Sequence, residues 1–152
     1  MTIAVPASLK ALHESLHATL KRATREADRT GAAARRLLPL LERQFDREEV
    51  FALPTLSLLP TLAQGDAAPD TRDALRLVEQ LSDERASLLE AYRGIRVELR
   101  ALAGAAEAEG KAEYLDLVED LVMYARLAEE VLYPAALLAG AFIRRANAPP
   151  TP

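Results

Sequence analysis

Leu37-Leu-Pro-Leu-Leu-Glu-Arg-Gln-Phe-Asp-Arg-Glu-Glu-Val-Phe-Ala-Leu-Pro54 carries apolar side chains at helical spacing, with Gln44 and Glu48 set among them. At roughly 100° per residue, Leu37, Leu41, Gln44, Glu48 and Phe51 share one helix face, and Glu49 falls at its edge. A carboxyl on such a face is costly unless it is paired, hydrogen-bonded or bound to a metal. The first helical segment repeats the anomaly. His13 lies near the centre of the stripe Leu9, Leu12, Leu16 and Leu20, with His17 at the flank. These are the only two histidines in the chain.

Outward from these faces, apolar positions recur at helical spacing over residues 7–28, 32–52, 71–103 and 111–145. Breaks are predicted at Thr30–Gly31, over residues 54–69 and over residues 104–110. Short first and third connections predict antiparallel neighbours, hence an all-α, up-down four-helix bundle. One domain is expected over residues 1–146, followed by a flexible tail at 147–152. The middle connection, apolar and proline-punctuated over residues 53–62, should pack across the bundle end. Pro134 removes a backbone donor within the fourth helical pattern and predicts a bend there. Tyr133 before it should leave helical dihedrals.

Composition narrows the function classes. The chain has 152 residues, enough for one domain with a real core, and half of them are apolar. The 19 basic and 23 acidic residues give a net charge of −4, so no basic excess is available to neutralise nucleic-acid phosphates. The lack of cysteine excludes disulfides and thiolate ligands. No secretory signal or membrane-length apolar run is visible, so a soluble cytoplasmic protein is expected. Glycine-rich phosphate loops and nucleophile elbows are missing as well.

On the third segment Tyr92 and Arg85 share the face of Leu81, Leu88, Ile95 and Leu99. On the fourth, Tyr124 and Glu129 straddle the stripe of Val118, Leu121, Ala125 and Leu132. Counting from the turns puts His13 level with Glu48, and His17 with Gln44. It likewise puts Arg85 level with Glu129, and Tyr92 close to Tyr124. Polar groups therefore point inward at matched heights on all four segments. Glu49 and Glu130 lie off the apolar faces and read as solvated.

Four segments carry a family likeness: Leu12-His-Glu-Ser-Leu-His-Ala-Thr-Leu20, Gln44-Phe-Asp-Arg-Glu-Glu-Val-Phe-Ala-Leu-Pro54, Leu89-Glu-Ala-Tyr-Arg-Gly-Ile95 and Tyr124-Ala-Arg-Leu-Ala-Glu-Glu-Val-Leu-Tyr-Pro134. Over nearly its whole length the chain resembles the hemerythrin-like (HHE cation-binding) domains. The resemblance implies a hemerythrin-like four-helix bundle. It also implies a non-haem di-iron centre of histidines and two bridging carboxylates, used in oxygen binding, redox chemistry or iron sensing. Glu48 and Glu129 match the bridging carboxylates, and His13 or His17 matches the first-helix ligand. Gln44, Tyr92 and Tyr124 stand where the family has histidine. An oxygen carrier needs neutral nitrogen donors and an open position, so an intact one is not expected.

Two readings follow from the resemblance. In one, a metal site of His13 or His17, Glu48, Glu129 and a tyrosinate from Tyr92 or Tyr124 is retained. That hard, oxygen-rich set suits iron(III) or manganese, in mono- or dinuclear form. In the other, the chain is a metal-free structural or interaction bundle. Tyr92, Tyr124, Gln44 and Arg85 then replace the metal with hydrogen bonds and ion pairs, Arg85 pairing with Glu129. Removing one partner of such a buried pair would cost ~3–5 kcal/mol. A protein partner or homo-oligomer is not specified by the sequence.

Overall fold

The computed structural model describes residues 3–151. Met1, Thr2 and Pro152, the outer ends of the expected domain and tail, lie outside the described residues. Helix α1 spans Ala7–Ala23 and α2 spans Arg29–Arg47, which continues into a π turn at Glu48–Ala52. A 3₁₀ turn at Pro54–Leu58 and the short α3, Leu59–Ala63, form the middle connection. Helix α4 runs over Thr71–Ala108 and α5 over Ala112–Leu127. A second π turn, Ala128–Leu132, leads into α6 at Tyr133–Ala146. The fold is all-helical, with no strand among the described residues.

The helices pack side by side as a bundle-like closed ring. α1 lies against α2 and α5, α2 against α4, and α4 against α5 and α6. Leucine and alanine fill the space between them, including Leu20, Leu37, Leu81, Leu88, Leu99, Leu102 and Ala136, all buried. The middle connection packs inward as expected: Leu53, Pro54, Thr55, Leu56 and Leu58 are buried. No described helix is long and apolar enough to cross a membrane.

The two short connections are tied together. Lys111 Nζ reaches Glu26 at 2.8 Å and Asp28 at 2.6 Å, while Thr30 donates its N–H and hydroxyl to Glu109 Oε1 at 2.7 and 2.6 Å. Glu109 thus places negative charge on the first turn of α2, where the helix dipole favours it. Both breaks differ from the sequence reading by several residues. The first is at Thr24–Asp28, and Gly31 lies inside α2. The third centres on Gly110, because Gly104 continues the helix and Gly110, at φ +70°, ends it. Lys111 N–H closes that end on Ala106 C=O at 2.8 Å, the six-to-one bond of a left-handed glycine cap.

Both π turns precede a proline. Leu53 N–H bonds Glu48 C=O at 2.8 Å ahead of Pro54, and Tyr133 N–H bonds Ala128 C=O ahead of Pro134. Proline has no N–H and its ring crowds the carbonyl four residues back, so the preceding turn widens by one residue. Tyr133 accordingly keeps helical dihedrals, φ −65° and ψ −47°, against the expectation that proline displaces it. The widened turn absorbs the clash instead.

Gly31 is required by close approach. A Cβ there would lie 1.8 Å from the Glu26 carbonyl oxygen, which is backbone and has no rotamer to yield. We expect Gly31→Ala to destabilise the fold by about 2 kcal/mol or more, read as a lower denaturation midpoint. An unchanged midpoint would show that the α1–α2 turn relaxes freely.

Candidate functional site

Glu48 opens the first π turn and is fully buried. Three phenols converge on its carboxyl from different parts of the chain. Tyr92 of α4 donates to Oε1 at 2.8 Å, Tyr133 of α6 donates to Oε2 at 3.2 Å, and the Tyr124 oxygen of α5 lies 3.1 Å from Oε1. The Tyr124 oxygen is also 2.5 Å from His13 Nε2 of α1. On its other side the ring presents Nδ1 to Glu49 Oε2 at 2.9 Å. Gln44 completes the group, donating its amide N–H to Leu88 C=O at 3.0 Å and to the Tyr133 oxygen at 3.4 Å.

Burial governs the charges. It pushes the Glu48 carboxyl up to about 8, although the hydroxyls of Tyr92, Tyr124 and Tyr133 pull the other way. Burial also lowers His13, opposed by Glu49. It raises all three phenols above their ordinary value, with the Glu48 carboxyl adding to the effect. Around pH 7, then, Glu48 carries its proton, the phenols keep theirs and His13 is neutral.

One arrangement gives every proton in the chain an acceptor. Glu48 O–H donates to the Tyr124 oxygen, Tyr124 O–H donates to His13 Nε2, and His13 Nδ1–H donates to Glu49. The chain leads from a sealed carboxyl to one that is 30 % exposed. Phe45 holds the imidazole in place, stacked on it at 3.9 Å between ring centroids and 3° between planes. Beyond His13 lies an open cleft of about 270 Å³, lined also by His17, Glu42, Asp46 and Glu49. The chemistry available here is storage of a proton and its movement along hydrogen bonds.

Of the residues singled out from sequence, His13, Gln44, Glu48, Tyr92 and Tyr124 come together. His17 and Glu129 do not. His17 sits on the cleft wall, 3.7 Å from Glu42. Glu129 is 23 % exposed and pairs with Arg96 Nη1 at 2.8 Å. Arg85 is exposed and takes no part. The turn after α4 centres on Gly110, at the far end of the expected 104–110 break rather than its middle, which moves the level of Glu129 along α4 from Arg85 toward Arg96. Because both partners of the real pair touch solvent, losing it should cost at most about 1 kcal/mol, not the value for a buried pair. Glu49, expected to be solvated, is the outer end of the chain.

A dinuclear metal centre does not fit this arrangement. Its second bridging carboxylate, Glu129, is held by Arg96. The inner donors are one carboxyl, one imidazole already engaged by Tyr124, and phenols whose protons burial retains. No group of three or more His, Cys, Asp or Glu side chains among the described residues is disposed to hold a metal ion. Comparison of the chain with protein-family models, curated proteins and solved structures yields no match.

The shifts set a pH dependence. From pH 4.5 to about 8 the folded protein keeps a Glu48 proton that the unfolded chain has released, so stability falls as pH rises. His13 acts oppositely just below 6.5, where the unfolded chain is charged and the folded ring is not. The two slopes offset each other there, leaving a net fall between 6.5 and about 8, worth roughly 2 kcal/mol. Glu48→Gln imitates the protonated carboxyl and should abolish this fall. Melting curves at pH 6.5 and 8.5 check it; equal alkaline losses in both proteins would overturn the assignment. In the same assay Arg85→Met should be neutral and Arg96→Met should cost at most about 1 kcal/mol.

Proposed function

We propose that the chain is a hemerythrin-like, antiparallel up-down four-helix bundle acting as a metal-free structural or interaction module. A hydrogen-bond network centred on Glu48 stands where that family keeps its metal. The observation that carries this reading is the set of three phenols meeting one fully buried carboxyl. A buried carboxyl is tolerated when it is neutral and fully hydrogen-bonded, and burial here keeps its proton on near pH 7. The partially exposed Arg96–Glu129 pair supports the same reading, since it engages the carboxylate that would otherwise bridge two metal ions.

The role is that of a scaffold whose core chemistry is spent on its own stability. No nucleophile elbow, glycine-rich phosphate loop or cysteine thiol in the sequence adds an enzymatic reading. The retained metal site is the competing proposal, and one experiment separates the two. Protein expressed with added iron, and separately with added manganese, is subjected to elemental analysis and visible spectroscopy. We expect only traces of metal, no phenolate-to-iron charge-transfer band, and a melting temperature unaltered by chelator. Stoichiometric metal, or a melting temperature that rises with metal by mass action, would replace this reading with a tyrosine-containing metal centre.

A further inference from the structure

Eleven large apolar side chains are exposed among the described residues; six lie on the last helical rod, and beside Val122 five of these form one row: Met123, Leu127, Val131, Leu138 and Phe142. Met123 is 63 % and Leu138 70 % exposed. Nineteen residues separate the ends of this set. On an unbroken α-helix they would advance about 100° beyond five full turns, and the row would wind off the face. The π turn at Ala128–Leu132 takes up one extra residue and cancels that drift. The five side chains therefore form a straight apolar strip roughly 30 Å long, the reach of a packed helix pair.

The charges at its ends differ in sign. Asp116, Glu119 and Asp120 are exposed before the strip, and Arg144 and Arg145 after it. A parallel copy would set acid against acid and base against base. An antiparallel copy sets acid against base at both ends. The pairs Met123–Leu138 and Asp116–Arg145 are centred on one point, just before Val131. An antiparallel partner centred there brings Met123 against Leu138 and Asp116 against Arg145 of the second copy, each twice over.

We propose that this face is a homodimer interface: the rod formed by α5, its π turn and α6 packs antiparallel against the same rod of a second copy about a two-fold axis at Val131. Such a contact is self-complementary, as a two-fold interface must be. Its apolar row is flanked near the middle by the exposed Arg126–Glu130 ion pair and ends in charged residues, an apolar row with a polar rim as in specific protein contacts. The face points away from the Glu48 network, so the inference does not depend on what fills the core.

The test is solution mass by light scattering after size-exclusion chromatography, with circular dichroism to confirm folding. The wild-type chain should show twice its 16.6 kDa mass at roughly 100 μM and fall toward the monomer on dilution. Leu138→Glu, and separately Met123→Lys, should raise the dimer dissociation constant at least about tenfold while leaving the helical spectrum intact. Asp116→Lys and Arg145→Glu should each weaken the dimer, and the two together in one chain should restore it. A monomeric wild type would overturn the proposal. So would a dimer indifferent to Leu138→Glu, or single charge reversals that the double variant fails to rescue.

Discussion

Burying the Glu48 carboxyl obliges the fold to bring hydroxyl donors from distant parts of the chain to one point. Ionising a carboxyl at that depth would take up a large share of a domain's net stability, and burial holds its proton up to about pH 8. The neutral acid costs less, and the phenols of Tyr92, Tyr124 and Tyr133 satisfy what remains. Each phenol comes from a different helix, and His13 adds another. The network therefore fixes the register of the rods more sharply than leucine packing does. Apolar side chains exchange neighbours at small energetic cost, whereas a hydroxyl displaced by one helical residue loses its bond outright.

The prolines serve the same end by indirect means. Pro54 and Pro134 each force a widened turn just upstream, and those turns carry the residues that matter. The first begins at Glu48 itself. The second shifts everything after it by one residue's rotation, so that Tyr133, the first residue of α6, faces the carboxyl while Pro134 sits in the first turn of that helix. A residue type that usually terminates helices here reorients one. The same rotation aligns the outward apolar residues of this rod, so one local distortion sets both its faces.

Sequence reading found the inner group where a uniform helical period applies. His13, Gln44, Glu48, Tyr92 and Tyr124 lie on faces that 100° steps predict, and the level of His13 with Glu48 is realised as a 3.8 Å separation. It failed where the period changes. Tyr133 stands half a turn from Tyr124 on an ideal helix and comes inward only through the π turn. The sole sequence signal was that Glu-Glu-Val precedes proline on both rods. The level match of Arg85 with Glu129 holds only for a turn centred midway through residues 104–110, whereas the left-handed stop is Gly110 itself. Glu49 was missed for a geometric reason: a residue at the edge of an apolar face is still within reach of an imidazole on the next helix. The centre of the network was legible, and its outer contacts were not.

The chain contains no tryptophan and four tyrosines, and three of those four touch the same carboxyl. Its near-ultraviolet absorption and intrinsic emission thus come chiefly from phenols, most of them bonded around Glu48, with only a weak contribution from three phenylalanines. Ionising that carboxyl changes the field at three of the four chromophores together. The protein carries an optical probe of its own buried proton, with no label to introduce and little other aromatic signal to subtract.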